Sequence, residues 1–194
     1  MRVGILTFHC ARNYGAVLQA YALQTYLEKQ GHQVYVIDYR PSYLVFPYRL
    51  FKFGVWRDKG FITGLKWNIR EILVASIRGL RNFRFEWFVR RRLHLRQIDF
   101  TKPCTDIDAF VFGSDQIWNP KLTSLDSIYW LKFADKSKKK IAYAPSIGVE
   151  ELSETEQKTV RENLSDFSGI SCRELGGTKL LNSVLKDKEC IKVV

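Results

Sequence analysis

Val3-Gly4-Ile5-Leu6-Thr7-Phe8, then a polar stretch from His9 to Gly15, then an apolar stripe from Ala16 to Gln30, then Val34-Tyr35-Val36-Ile37-Asp38: these segments decide the fold. The first run is nearly continuously apolar and lacks two-residue alternation, as a strand buried on both faces of a parallel sheet requires. In the next segment Val17, Leu18, Tyr21, Ala22, Tyr26 and Leu27 recur at helical spacing, and Gly31 stands where a helix C-terminal cap belongs. The third run reads as a second strand. Strand, loop, helix and strand in this order make a βαβ unit, whose crossover is right-handed in nearly all cases.

Downstream, Ala109-Phe110-Val111-Phe112, Ile141-Ala142-Tyr143-Ala144, Gly169-Ile170-Ser171-Cys172 and Ile191 to Val194 read as four further strands. Helical stripes lie between them. The one from Ser153 to Leu164 opens on Ser153-x-x-Glu156, a capping-box signature, and another runs from Thr178 to Leu185. The expectation is a six-stranded, doubly wound, mainly parallel α/β sheet in a single domain over residues 1–194. Its last strand runs to the terminal residue, so the sequence is expected to stop short of a closing element.

Residues 41–100 break this rhythm. Pro41, Pro47, Gly54 and Gly60 suggest an irregular connection, and from Ile62 to Trp87 apolar residues recur every three or four positions, as in one long amphipathic helix or two joined near Gly79, so that Ile62 to Gln97 is expected to be mostly helical. This segment holds 13 Lys/Arg against 4 Asp/Glu, and so carries most of the formal net charge of +11. The basicity belongs to a helical insertion rather than to the fold. Phe83-Arg84-Phe85-Glu86-Trp87-Phe88-Val89-Arg90-Arg91-Arg92 interleaves aromatics with cations. That pattern leaves open a solvated face, a peripheral contact with membrane or anionic glycan through residues 81–96, or a nucleic-acid surface. No nucleic-acid-binding module surrounds the charges, which weighs against the last.

Hydrophobic residues make up 46% of the chain, enough for a core, yet no run approaches the roughly 18 apolar residues of a spanning helix. Met1-Arg2 followed by Val3 to Phe8 is too short an apolar run for a secretory leader and reads as the first strand, so a cytoplasmic protein is expected. Cys10, Cys104, Cys172 and Cys190 are widely spaced, without a Cys-x-x-Cys pair or histidines at zinc spacing, and signal neither metal nor redox chemistry.

In open α/β sheets ligands gather beyond the carboxyl ends of the strands, so the loops to inspect are His9–Gly15, Gly113–Pro120, Ser146–Gly148 and the turn at Arg173. The first lacks the glycine spacing of a dinucleotide site. Asp38 reads as a strand-end acid. Asn13 either caps the following helix or contacts substrate, and Gln19 either ties that helix to a neighbouring loop or reaches a ligand. Gly113-Ser114-Asp115-Gln116-Ile117-Trp118-Asn119-Pro120 combines a carboxylate, two amides and an indole after a buried strand, residue types that bind sugar hydroxyls and stack on sugar faces. Its alternative is a structured loop in which Trp118 plugs the core. Arg173 follows a strand and precedes a helix, where a guanidinium fork and free N–H groups suit an anion. A local ion pair is the alternative.

The Ile5-Leu6-Thr7-Phe8-His9 strand end, Asn13-Tyr14-Gly15-Ala16-Val17-Leu18-Gln19-Ala20-Tyr21-Ala22-Leu23, Gly113 to Pro120 and Ser171-x-Arg173-Glu174, in this order, resemble the polysaccharide pyruvyl transferases. The resemblance spans nearly the whole chain and weakens between residues 41 and 100. It departs from the family pattern at Gly176, where a serine is common, and at Pro145, where an alanine is usual. It implies a Rossmann-like domain, one half of a GT-B-like two-domain enzyme, with a second, donor-side domain outside this sequence. It further implies transfer of pyruvate from phosphoenolpyruvate, as donor substrate, to hydroxyls of a cell-surface glycan or lipid-linked saccharide, with no metal or organic cofactor. On this reading Asp115 is the candidate catalytic residue, and Asn13, Tyr14, Gly15, Gln19, Gln116, Trp118, Asn119, Ser146 and Arg173 are the candidate substrate-binding residues. The alternatives are a GT-B-like glycosyltransferase using a nucleotide sugar and a non-enzymatic basic module.

Overall fold

The computed structural model describes residues 1–45, 79–185 and 189–192. The expected features at residues 46–78, and the last two residues of the expected sixth strand, lie outside the described residues. Strand β1 (Arg2–Leu6) leads through helix α1 (Tyr14–Lys29) to β2 (Gln33–Ile37) and a short helix α2 (Ser42–Val45). A helix α3 over residues 79–92 returns the chain to β3 (Leu95–Arg96). Then follow β4 (Ala109–Phe112), a short α4 (Pro120–Thr123), a 3-10 turn (Ser127–Trp130), β5 (Lys139–Ala142), α5 (Glu154–Leu164), β6 (Gly169–Cys172), α6 (Leu175–Val184) and β7 (Cys190–Lys192).

The strands form one sheet of order β3-β2-β1-β4-β5-β6-β7, and every pairing is parallel. The expected sheet is therefore present with one strand more than the sequence suggests, β3, and with its fourth expected strand starting two residues earlier, at Lys139. Because all strands point one way, the loops that follow them share one edge. The chain first winds outward from β1 through β2 to β3 and then restarts beside β1 with β4. That reversal opens a crevice between the loops after β1 and β4.

Local chemistry sets the helix ends. The Asn13 side chain accepts from the backbone N–H groups of Gly15 and Ala16, and the helix closes at Gly31, φ +82°, whose N–H donates to Glu28 while that of His32 donates to Leu27. The Ser153–Glu156 capping box is formed at the start of α5. Alternate strand residues then feed two cores. On one face Val3, Ile5, Val34, Val36 and Val111 meet Val17 and Ala20 of α1 and Phe85, Val89 and Leu93 of the α3 segment. On the other, Leu6, Ile37, Phe110 and Phe112 pack with Trp118, Tyr129, Trp130 and the inner sides of α5 and α6. The four cysteines are buried and unpaired. Cys10 donates to the Tyr39 carbonyl, and burial pushes its thiol up to about 11, so it is held as a neutral core group.

Candidate functional site

The site grows from contacts across the reversal point. Gln19, one turn into α1, donates to the Thr7 hydroxyl at 2.7 Å and accepts from the Ser114 N–H at 3.1 Å. It thereby stitches the end of β1 to the start of the β4 loop. Gly113 makes the approach possible, because a Cβ there would lie 2.9 Å from the Thr7 hydroxyl and 3.0 Å from Gln19 Oε1. The stitching continues sideways. Ser146 N–H donates to the Asp115 carbonyl at 2.8 Å, and Arg173 N–H donates to the Pro145 carbonyl at 3.2 Å. The loops after β1, β4, β5 and β6 are thus joined in one row of hydrogen bonds.

Asp115 stands in the middle of that row. Its Oδ1 accepts from the Gln116 N–H at 2.9 Å, while its Oδ2 is buried and has no hydrogen-bond partner among the described residues. Burial raises its pKa to about 6, against the smaller opposing effects of that N–H and of the Arg173 charge. A carboxylate held near neutrality with an unfilled lone pair is chemically able to take a proton from a hydroxyl or to return one.

The rest of the β4 loop supports this group. Asn119 caps α4 through the Lys121 N–H and donates to Gln116 Oε1 at 3.0 Å. Gly148, φ +65°, lies against this pair, and a Cβ at that position would come within 2.5 Å of Asn119 Nδ2. Asn119 and Ser146 are buried, and in this structure they brace the loop. Trp118 requires a correction. Its ring has no exposed surface; it stacks on Trp130 at 5.5 Å and 7°, and its indole N–H reaches the Tyr129 carbonyl. An indole so enclosed has no face to offer a sugar, so it is the plug of the second core.

Asn13 spends its side-chain oxygen on the cap of α1, with Gly15 as one of its donors. Tyr14 is exposed at the same edge and packs its ring against Phe85. Arg173 is exposed and grips Glu174 Oε1 with both Nε (3.0 Å) and an Nη (2.8 Å). The N-terminus of α6 has no side-chain cap beside it. Ser171, at the end of β6, donates to the Ala142 carbonyl and accepts from Ala144, a non-glycine residue held at φ +53°. Such a conformation costs about 1–2 kcal/mol and here turns the β5 loop toward Asp115.

One network escaped the sequence reading. His9 is fully buried, with Nε2 2.8 Å from Asp38 Oδ1 and Nδ1 3.3 Å from the Thr7 carbonyl. Asp38 in turn accepts from Arg40 Nε at 2.6 Å, and Arg40 reaches Glu86 on α3. The His9 hydrogen bond and the Arg40 cation hold the Asp38 carboxyl down at about 2. Asp38 is therefore more than a strand-end acid, and it locks the loop after β1 to α3. The signal was present in principle, since parallel pairing of β1 with β2 brings residues just past Leu6 beside those just past Ile37.

Among the described residues no group of three or more His, Cys, Asp or Glu side chains is placed to hold a metal ion, and no helix is long and apolar enough to cross a membrane. Neither a comparison with curated proteins nor one with solved structures gives a match. The model of one protein family, polysaccharide pyruvyl transferase, matches residues 13–194, a span that includes α1 and the loops after β4, β5 and β6. With that match over most of its length, the chain belongs to the polysaccharide pyruvyl transferase family.

Proposed function

We propose that the carboxyl edge of the sheet binds a glycan acceptor, and that Asp115 receives the proton of a sugar hydroxyl during transfer of pyruvate from phosphoenolpyruvate. The observation that carries this reading is the half-satisfied Asp115 carboxyl at the reversal point, titrating near neutrality. Family membership supplies the reaction class. In that reaction the methylene carbon of phosphoenolpyruvate gains a proton and the adjacent carbon acquires oxocarbenium character. Two sugar hydroxyls add to that carbon, each losing a proton, and the bond to phosphate breaks. The product is a pyruvate ketal plus free phosphate, and the chemistry calls for no metal or organic cofactor.

Asp115, ionised, activates a hydroxyl by accepting its proton. Gln116, in the same loop, and Tyr14, exposed on the same edge, flank the acceptor space. Arg173 supplies an anion clamp for the donor after releasing Glu174, its fork then serving a carboxylate or phosphate. The remaining donor contacts fall to a second, donor-side domain across a cleft. The acceptor is a cytoplasmic precursor of a cell-surface polysaccharide.

The test is phosphoenolpyruvate-dependent phosphate release with a panel of acceptor glycans. It is run with this chain alone and with a donor-side domain from a family member added. Release is expected only in the combined assay, and Asp115→Asn should lower it by about 10²–10⁴-fold. Arg173→Lys keeps the charge but loses the fork and should raise KM for the donor. Release that tolerates Asp115→Asn removes the assigned role. Turnover of a nucleotide sugar in place of phosphoenolpyruvate replaces the donor.

A further inference from the structure

Helix α3 carries two apolar faces. The inner one, Phe85 and Val89, is buried against the sheet. The outer one, on the opposite side of the same turns, presents Leu80, Phe83 and Trp87, which are 55%, 68% and 50% exposed. They stand at i, i+3 and i+7, one stripe along the helix. Arg84 and Arg91 fall within that stripe, are exposed, and have no acidic partner among the described residues. Glu86, the only acid of residues 79–92, lies to the side and is committed to Arg40 and Arg90.

The patch extends onto α1. Tyr14 and Leu18, 53% and 54% exposed, line a shallow groove with Arg84, Trp87 and Phe88. Its direction is fixed by topology. β3 pairs parallel to β2, so α3 runs back against the strands and begins near their carboxyl edge. The contact of Tyr14, the first residue of α1, with Phe85 at 5.9 Å agrees. The patch therefore starts beside the mouth of the site.

We infer that this outer face of α3, with Tyr14 and Leu18 of α1, docks the domain on an anionic lipid bilayer. Aromatic and leucine side chains enter the headgroup boundary while Arg84 and Arg91 meet lipid phosphates. Two features select a bilayer over a protein partner. The apolar residues are interspersed with unpaired cations rather than ringed by them, and the surrounding segment is strongly basic, which complements an anionic surface. Docking on this face lays α3 along the membrane and leaves the carboxyl edge of the sheet beside the lipid surface. The inference does not depend on the proposed transfer reaction.

The experiment is co-sedimentation of the full chain with vesicles of phosphatidylglycerol and phosphatidylcholine, against phosphatidylcholine alone, at low and near-physiological salt. Binding to the anionic vesicles is expected, weakened by salt. The pair Phe83→Ser/Trp87→Ser and the pair Arg84→Glu/Arg91→Glu should each reduce partitioning by at least about tenfold. All four positions are exposed, so circular dichroism and the thermal midpoint should match the parent, and a folded parent-like variant that still binds overturns the inference. So does equal binding to neutral vesicles. A monomer–dimer equilibrium abolished by the Phe83/Trp87 pair would assign the face to a second copy. Duplex-DNA binding lost only with the arginine pair, without vesicle binding, would assign it to nucleic acid.

Discussion

The loops after β1 and β4 face each other across the same crevice and carry comparable polar residues, yet they dispose of them in opposite ways. After β1 the polar side chains are consumed by structure, with His9 on Asp38, Asp38 on Arg40 and Asn13 on the first turn of α1. After β4 the supports are equally tight, but Asp115 Oδ2 is left unfilled. The lesson is that an anchored loop acts only through what its anchoring leaves over. One loop is a wall, and the other holds a half-satisfied carboxyl against it.

Asp115→Asn should separate the two loops most clearly, through two effects of opposite sign. Turnover falls by the orders of magnitude given above, while stability rises. The folded pKa of Asp115, about 6, lies above the unfolded value, so the native state resists losing that proton. Stability linked to this group is therefore complete below about pH 4 and is lost as pH rises through 6. Urea unfolding should find Asp115→Asn about 1–2 kcal/mol more stable than the parent at pH 7 and equal to it near pH 4. A destabilised variant at pH 7 would mean that the carboxylate is structural, like its counterparts across the crevice.

Asp38→Asn should do the reverse. Here the folded pKa is depressed to about 2, so its contribution is present above the unfolded value near 4 and disappears as pH falls through 2. Its side chain keeps some solvent contact, 14%, which argues for a loss of about 1–2 kcal/mol at pH 7. Proteolysis should begin at the α3 segment, released when Arg40 loses its bridge. Asn13→Ala removes one cap and should cost about 1 kcal/mol, with KM and kcat nearly unchanged in the complemented enzyme assay. A large KM effect would give Asn13 a ligand as well as a helix. The smallest effect belongs to Gly176→Ser. A Cβ there meets nothing within 4 Å, and serine at a helical position is favoured over glycine by roughly 0.5 kcal/mol. Thermal unfolding should show a slight gain.

Parts of this arrangement were readable from composition and period. β1, β2, β4 and β6 announce themselves because strands buried on both faces must be almost wholly apolar. β3 does not, because two residues, Leu95 and Arg96, at the end of a basic helical pattern carry no period of their own. The start of β5 is hidden by Lys139-Lys140, which read as loop. Lys140 is nevertheless buried, its ammonium reaching Asp166 past an aliphatic stem. Asp115 was legible as a candidate from the density of polar groups around it. Trp118 was ambiguous for a physical reason, since an indole that stacks on a sugar and one that fills a core are the same in sequence and differ only in what lies behind the loop. The His9–Asp38 pair required knowing which strands are neighbours.

The pairing of β4 with β1, rather than with β3, has a consequence for how the chain can vary. Arg2 and Asp108 meet at this junction although they are 106 positions apart. Everything between them is one closed excursion of the backbone. The entropy of closing such an excursion grows only logarithmically, about 0.6 kcal/mol for each doubling of its length. Lengthening the part of this excursion that precedes α3 therefore changes the closure entropy by only tenths of a kcal/mol, provided Phe85, Val89 and Leu93 keep their places against the sheet, and the Thr7–Gln19–Ser114 stitch at the base of the crevice is untouched. The surface that meets the outside world can diverge freely in length and charge at little thermodynamic expense to the chemistry beside it.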